Sequence, residues 1–329
     1  MENREINELS YPLFDGETFH ENASVSIKDG VITAVRETEC ANTGYFLMPG
    51  LIDGHTHINT PCQVEAMVKN GVTAACDVAA SRSLIDRSER FAFISSAGMT
   101  MGTLNGKAYV DRALANGADY IKVLLTEPSL MLKSVLADIC ARSHEKGVKV
   151  AVHAVSVKAV QLAVSCGADI LLHVPMKETF PEELAISIAK KGIFVAPTLV
   201  MMYAFSRSGR NGYKLEHYQN AENAVRLLRR CGVKILTATD ANDGSFAPPV
   251  DYGASMHREL ELLVSAGMTP CEALAGATRL VAEAFGIASF GTIRRGQKAN
   301  LLLIQGSPNK NISDTAKIKQ VIINGDTVL

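Results

Sequence analysis

His55 and His57 stand one residue apart at the end of the apolar run PGLIDGHTHI, residues 49–58. An extended strand puts residues i and i+2 on one face, so both imidazoles point the same way and can grip one metal ion. Four later apolar runs carry or end in further groups able to bind a metal. YIKVLL (120–125) carries Lys122, VKVAVH (148–153) ends in His153, ILLH (170–173) in His173, and ILTATD (235–240) in Asp240. Ring nitrogens favour zinc over a hard, oxygen-seeking cation. Lys122 as a free ammonium, with a pKa of about 10.4, has no lone pair to give and needs modification before it can be a ligand. A single histidine ending a buried strand is more often a hydrogen-bonded structural residue than a ligand, so the case rests on the set taken together.

Each run is short, rich in Val, Ile or Leu, and bounded by glycine or polar residues, the pattern of a buried parallel strand. From residue 47 to 289 such runs alternate with the amphipathic stretches Leu130–Lys146, Val157–Cys166, Pro181–Lys190 and Tyr218–Arg230. The strand-like runs are LMPGLID, GVTAACDVA, AGMTMGT, YIKVLL, VKVAVHA, DILLHV, GIFVAPTL and KILTATD. This predicts an α/β chain with a (β/α)8 TIM barrel of the usual ~250 residues. The C-terminal ends of barrel strands meet at one mouth, so the candidate ligands should converge there. Residues 11–46 hold short alternating segments hinged on Asp29-Gly30, and the tail from residue 290 returns to strand composition with a turn at Asn324-Gly325. The two ends of the chain are expected to join in one small β unit.

Composition narrows the function. A chain of 329 residues, 47% hydrophobic and 20% charged, can bury a large core. A net charge of −1 and the lack of a dense Lys/Arg run argue against nucleic acid or a membrane surface as partner. A small-molecule substrate is expected, with self-association into a homo-oligomer left open. MENREINELS lacks the apolar stretch of a signal peptide and no run is long enough to cross a bilayer, so the expected location is the cytoplasm. Seven cysteines (Cys40, Cys62, Cys76, Cys140, Cys166, Cys231, Cys271) are scattered without Cys-X-X-Cys spacing, which indicates neither a disulfide framework nor a thiolate metal site.

PGLIDGHTH, GADYIKV with Lys122, VAVHA with His153, ILLH with His173, TATDA with Asp240, MTPCEALAGAT, GTIRRGQKANLLLI and VIINGDTVL together resemble the amidohydrolase superfamily, most closely its imidazolonepropionase-like and Xaa-Pro dipeptidase (prolidase)-like branch. The resemblance covers nearly the whole chain. It implies a distorted (β/α)8 barrel, residues 47–289, beside a β-sandwich composed of residues 1–46 and 290–329. It also implies two divalent ions, expected to be zinc, bridged by a carboxylated Lys122 that carries a carbon dioxide adduct. His55 and His57 would hold one ion, His153 and His173 the other. Asp240 would touch the first and act as general acid/base while a metal-bridged hydroxide attacks an amide-type C–N bond. Dipeptides, N-acyl amino acids and cyclic amides are the substrate classes so implied.

Three alternatives stand beside this reading. An unmodified Lys122 paired with Asp240 or Asp77 would make a one-metal site. A mononuclear deaminase of a heterocycle is disfavoured, because deaminase-like members carry a glutamate three residues after the fifth-strand histidine, where this chain has Ser156. A non-catalytic scaffold would be expected to have lost ligands, and this chain keeps them. Asp53 and Asp77 are expected to support the site through hydrogen bonds, and His20 and His144 to lie on the surface. Loops after the seventh and eighth strands hold Thr198, Tyr203, Arg207, Arg210, His217, Tyr252 and His257, candidates for binding substrate, with solvated loop side chains as the competing reading. Lys122 is followed by VLLTEPSLM where the prolidase-like branch has a glycine pair. His173 is followed by Val-Pro, and Asn300 replaces a common aspartate. These departures leave the substrate open.

Overall fold

The computed structural model describes residues 7–39, 44–78, 80–87, 91–96, 98–100, 102–127 and 131–329. The strands in chain order are β1 (Asn7–Phe14), β2 (Phe19–Lys28), β3 (Val31–Glu37), β4 (Tyr45–Pro49), β5 (Leu51–Thr56), β6 (Val72–Asp77), β7 (Ala92–Ser95), β8 (Met99–Thr100), β9 (Ile121–Leu125), β10 (Val150–Ala154), β11 (Ile170–Leu172), β12 (Phe194–Ala196), β13 (Leu301–Gln305), β14 (Ile318–Ile323) and β15 (Asp326–Thr327). The helices are α1 (Pro61–Lys69), α2 (Arg82–Arg87), α3 (Gly106–Ala115), α4 (Lys133–Glu145), α5 (Val157–Cys166), α6 (Glu182–Lys190), α7 (Leu199–Ser208), α8 (Tyr218–Arg230), α9 (Ala254–Ser265), α10 (Pro270–Gly276) and α11 (Arg279–Phe285).

Both ends of the chain enter one seven-stranded sheet of order β15-β14-β13-β4-β1-β2-β3. Leu13, Val25, Ile32, Leu47, Leu301 and Ile322 form its core. The turns at Asp29-Gly30 and Asn324-Gly325 all have positive φ, at 50°, 78°, 50° and 83°, the pattern that two-residue hairpin turns require. The two tips pack together: a Cβ on Gly30 would collide with the Asn324 carbonyl, and one on Gly325 would meet the Gly30 Cα at 2.7 Å.

The other strands form two parallel sheets, β5-β6-β7 and β12-β11-β10-β9-β8. Residues 235–240, expected as the eighth strand, lie between them together with Ala241. Ile235 bridges to Val195 and Ala241 to Thr56, both parallel, and the Gly54 N–H donates to the Thr237 carbonyl at 3.1 Å. The segment pairs only at isolated points, partly because its neighbours also bond elsewhere. The Ile52 N–H donates to the Ala277 carbonyl (2.8 Å) and the Thr237 N–H to the Gly276 carbonyl (3.0 Å). Those two bonds also explain why MTPCEALAGATRLVAEAFGI is two helices, α10 and α11, and not one. At the far side the Ser96 N–H donates to Asp77 and the Asp119 N–H to Ser95, tying β6, β7 and the entry to β9.

Two sequence expectations shift. The third strand, expected at 97–103, is present only as β8, while β7 just before it carries the pairing to β6; Ala97 and Met101 lie outside the described residues. Of the expected helices, α5 and α8 keep their bounds and α6 begins after Pro181, whose missing N–H costs nothing there. The helix expected from Leu130 begins at Lys133, and Leu130 lies outside the described residues. Cys62, Cys76, Cys140, Cys166, Cys231 and Cys271 are free thiols; Cys40 lies outside the described residues. Among the described residues no helix is long and apolar enough to cross a membrane.

Candidate metal centre

The six residues expected as ligands come together. Asp240 Oδ1 is 3.3 Å from His55 Nε2 and 3.1 Å from His57 Nε2, and its Oδ2 is 4.0 Å from His173 Nδ1. Lys122 Nζ is 3.3 Å from His55 Nε2. The His153 and His173 rings have centroids 4.5 Å apart, and His55 and His173 5.5 Å. Backbone bonds between parallel neighbours hold the group in register: the Asp240 N–H donates to the His55 carbonyl and the His57 N–H to that of Ala241, each at 2.9 Å.

Burial sets the protonation of this cluster. Desolvation, then the charge of Lys122 and the adjacent imidazoles, holds His55 well below the usual histidine range. Desolvation and Lys122 take His153 down to about 3, and desolvation with His153 and Lys122 keeps His173 low. These three rings are therefore neutral and offer lone pairs. Desolvation also lowers Lys122 to about 7, against the opposing pull of Asp240. Two donor atoms, His55 Nδ1 and Asp240 Oδ1, are buried without a hydrogen-bond partner. Such atoms are costly unless something satisfies them. Potential ligand atoms of His55, His173 and Asp240 lie within 4.8 Å of one another. Neutral imidazoles facing an unsatisfied carboxylate oxygen fit a divalent cation.

Buried carboxylates fix the backbone around these side chains. Asp53 accepts the Thr239 N–H at 3.0 Å, the Thr239 hydroxyl at 2.5 Å and the His55 N–H at 3.2 Å. Asp77 accepts the Ile58 and Ala80 N–H groups, both at 2.6 Å, and the Thr56 hydroxyl at 3.0 Å. Glu259 accepts the N–H groups of Leu199 and Val200, a role the sequence reading did not foresee. The signal was present: in MHRELELLVS, Glu259 shares a helical face with the buried Met256, Leu260 and Leu263.

A cavity of about 500 Å³ opens over His153, His173 and Asp240. Its walls are Leu125, Val155, Met202, Phe205 and Tyr213, with Glu127, Ser156, Lys177, Glu178 and Asn211 among the polar lining. None of the seven residues expected to bind substrate lines it. Thr198 is buried with its hydroxyl 2.7 Å from His173 Nδ1, and the Tyr252 hydroxyl donates to the His57 carbonyl at 2.7 Å, so both contact residues expected as ligands. His257 is buried with Nδ1 3.1 Å from the Thr315 hydroxyl. His217 Nδ1 accepts the Lys214 N–H, Tyr203 packs on the Tyr218 ring, and Arg207 and Arg210 are exposed. Of the lining residues that sequence reasoning missed, Glu127, Val155, Ser156, Lys177 and Glu178 follow the ends of β9 and β10 and His173 by a few positions, whereas Met202, Phe205, Asn211 and Tyr213 lie in and after α7. The former placement is itself a signal, because loops after barrel strands build the mouth.

Comparison with known proteins agrees with this geometry. Residues 46–328 match the model of the amidohydrolase family. An adenine deaminase from Bacillus licheniformis is 25% identical over 338 residues, covering 92% of this chain and 54% of its own length. An imidazolonepropionase from Ruegeria pomeroyi is 43% identical over 77 residues, 23% of this chain and 18% of the relative. The chain thus spans about half the length of the first of these curated relatives and less of the second. The crystal structure of a Xaa-Pro dipeptidase with bound methionine in its active site shares the fold, with a TM-score of 0.82 and 18% identity over 97% of this chain and 98% of that one. The match extends from β4 to the last strand, and on that ground the chain belongs to the amidohydrolase family.

Proposed function

We propose that the chain is a metal-dependent hydrolase of an amide-type C–N bond, with a dipeptide, an N-acyl amino acid or a cyclic amide as substrate. The observation that carries this reading is the unsatisfied Asp240 carboxylate oxygen, buried between the ring nitrogens of His55 and His57 on the edge of a cavity. In this reading β5, β6, β7 with β8, β9, β10, β11, β12 and residues 235–241 form a (β/α)8 barrel over residues 47–289. Residues 1–46 and 290–329 form the β-sandwich domain. Support comes from the bonds that residues 235–241 make to β5 and β12, and from the ties between β7 and the entry to β9.

His55, His57 and Asp240 would hold one divalent ion, His153 and His173 a second, with a carboxylated Lys122 between them; zinc suits the nitrogen-rich set. Such ions, when bound, polarise a carbonyl oxygen and bring the pKa of a coordinated water to about 7. Asp240, buried yet lining the cavity, is placed to take the proton of the attacking water and to give it to the departing nitrogen. Amide and water become acid and amine. The apolar walls offer contact to a substrate side chain, and Glu127, Lys177 and Glu178 offer both signs of charge in the lining. A zwitterionic, dipeptide-sized substrate suits that mixture, in line with the shared fold of the Xaa-Pro dipeptidase.

The adenine deaminase relative suggests a second class, and Ser156 speaks against it. Ser156 caps α5 and donates to Glu127 at 2.8 Å, so a hydroxyl fills that position and the carboxylate beside it comes from the segment after β9. Elemental analysis of the purified protein, with a screen of dipeptides, N-acyl amino acids and lactams, tests the proposal. About two equivalents of metal with hydrolysis supports it. One equivalent with ammonia release from adenine favours a deaminase, and no metal with no turnover removes it.

A further inference from the structure

Glu259 is fully buried on α9, and each of its oxygens accepts one backbone N–H from the first turn of α7, Leu199 at 2.9 Å and Val200 at 2.7 Å. The first N–H groups of a helix need acceptors, and the residue before the helix normally supplies one from its own side chain. Here that residue is Thr198, and it makes no such cap. Its hydroxyl is instead 2.7 Å from His173 Nδ1. In the left-handed conformation of Thr198 the hydroxyl meets the imidazole and makes no bond back to the helix, and an acceptor brought from α9 serves the first N–H groups instead.

The backbone agrees with that division of labour. Thr198 sits at φ 51°, ψ 50°, a left-handed conformation that a β-branched residue adopts only when its surroundings impose it. Burial pushes the Glu259 carboxyl up to about 8, opposed by the two N–H bonds it accepts at the positive end of α7.

We propose that Glu259 is a positioning residue of the metal centre: by capping α7 from outside, it holds the turn at Thr198 in the conformation that aims the Thr198 hydroxyl at the ring of His173. The inference rests on His173 being a ligand only where zinc affinity is the readout; the ring geometry can be read without metal.

The test uses Glu259→Gln, Thr198→Val and the double variant in the full chain. Glutamine keeps the shape but presents an NH2 group to one of the two N–H donors, and valine keeps the β-branch while deleting the hydroxyl. The ring 15N shifts of His173 are measured in metal-free protein, and zinc affinity by chelator competition. Each single change should move the His173 shifts and weaken zinc about tenfold, the usual scale for a residue that orients a ligand. The double variant should lose less than about twofold beyond either single one, because both act through one contact. Unchanged His173 shifts in Glu259→Gln, or a double variant weakened by the product of the two single effects, overturns the proposal. Should Glu259→Gln fail to fold, Glu259→Asp, which retracts the carboxylate by one methylene, is judged by the same two readouts. If the parent chain binds no zinc while Glu259→Gln still shifts the His173 ring, the metal reading fails and the positioning role stands.

Discussion

Replacing Asp240 by asparagine isolates the proton-carrying step. Asp240 occupies a left-handed conformation, φ 58°, which asparagine adopts as readily as aspartate, so the backbone N–H bond to His55 should survive. What disappears is a carboxylate 3.1 to 3.3 Å from two ring nitrogens, and with it the group able to accept and return a proton. General acid/base catalysis contributes roughly a hundred- to ten-thousandfold, or about 3–5 kcal/mol of barrier. The expected result is a kcat lower by that factor, with metal retained through the four histidines. Initial rates on the best substrate, alongside the metal content of the same sample, provide the assay. A variant that keeps more than about a tenth of the parent kcat with parent-like metal content refutes the assigned role.

Other outcomes follow from the same geometry. Burial holds His257 neutral down to about 4 against an ordinary value of about 6.5 in the unfolded chain. The unfolded chain therefore binds the proton first, and stability is lost as pH falls from about 6.5 to 4, by up to about 3 kcal/mol. Glu261 opposes the effect by favouring the charged ring. Urea titrations of His257→Gln should show a flatter acid limb, and an unchanged slope would remove this histidine from the account. Gly253→Ala places a Cβ 2.5 Å from the Ala66 carbonyl oxygen at φ +75°, and should destabilise by about 2–4 kcal/mol in urea. A variant as stable as the parent would contradict that packing. Tyr252→Phe removes the donor to the His57 carbonyl and should cost about 1 kcal/mol by the same measurement, a neutral result arguing against the bond.

The convergence of the candidate ligands was legible because a parallel α/β chain leaves little freedom there. Each buried strand announces itself as an apolar run, and parallel order sends every C-terminal end to one side. Thus His55, Lys122, His153, His173 and Asp240 could be grouped although up to 185 positions separate them. The substrate cavity was less legible, because which loop folds inward depends on contacts between loops. Lys177 reaches across to donate to the Asn211 carbonyl at 2.7 Å and lies over the Tyr213 ring at 4.8 Å. That latch brings Asn211 and Tyr213 into the lining while Arg207 and Arg210 remain exposed. No local pattern in either segment specifies the other. The break between α10 and α11 was hidden for the same reason: its cause is a carbonyl taken by β5, 225 positions earlier.

Backbone strain links the fold to the centre. Among described non-glycine residues, Asp29, His173, Thr198, Asn211, Asp240 and Asn324 have positive φ. Three of these are Asp or Asn in turns, residue types that tolerate it. His173, Thr198 and Asp240 are different, for they end adjacent strand segments and meet around one cluster. Each such residue costs about 1–3 kcal/mol and persists only where its neighbours over-determine it. Here the neighbours are identifiable: the Ala196 carbonyl accepts the His173 N–H and the His55 carbonyl that of Asp240, while Glu259 anchors the turn after Thr198. A left-handed residue turns the chain sharply at the strand end, so the side chain can face the cluster and not follow the strand into the next loop. The strain is thus the means by which a stiff parallel sheet presents converging side chains, and relieving it at any of the three should loosen the cluster while stabilising the local backbone.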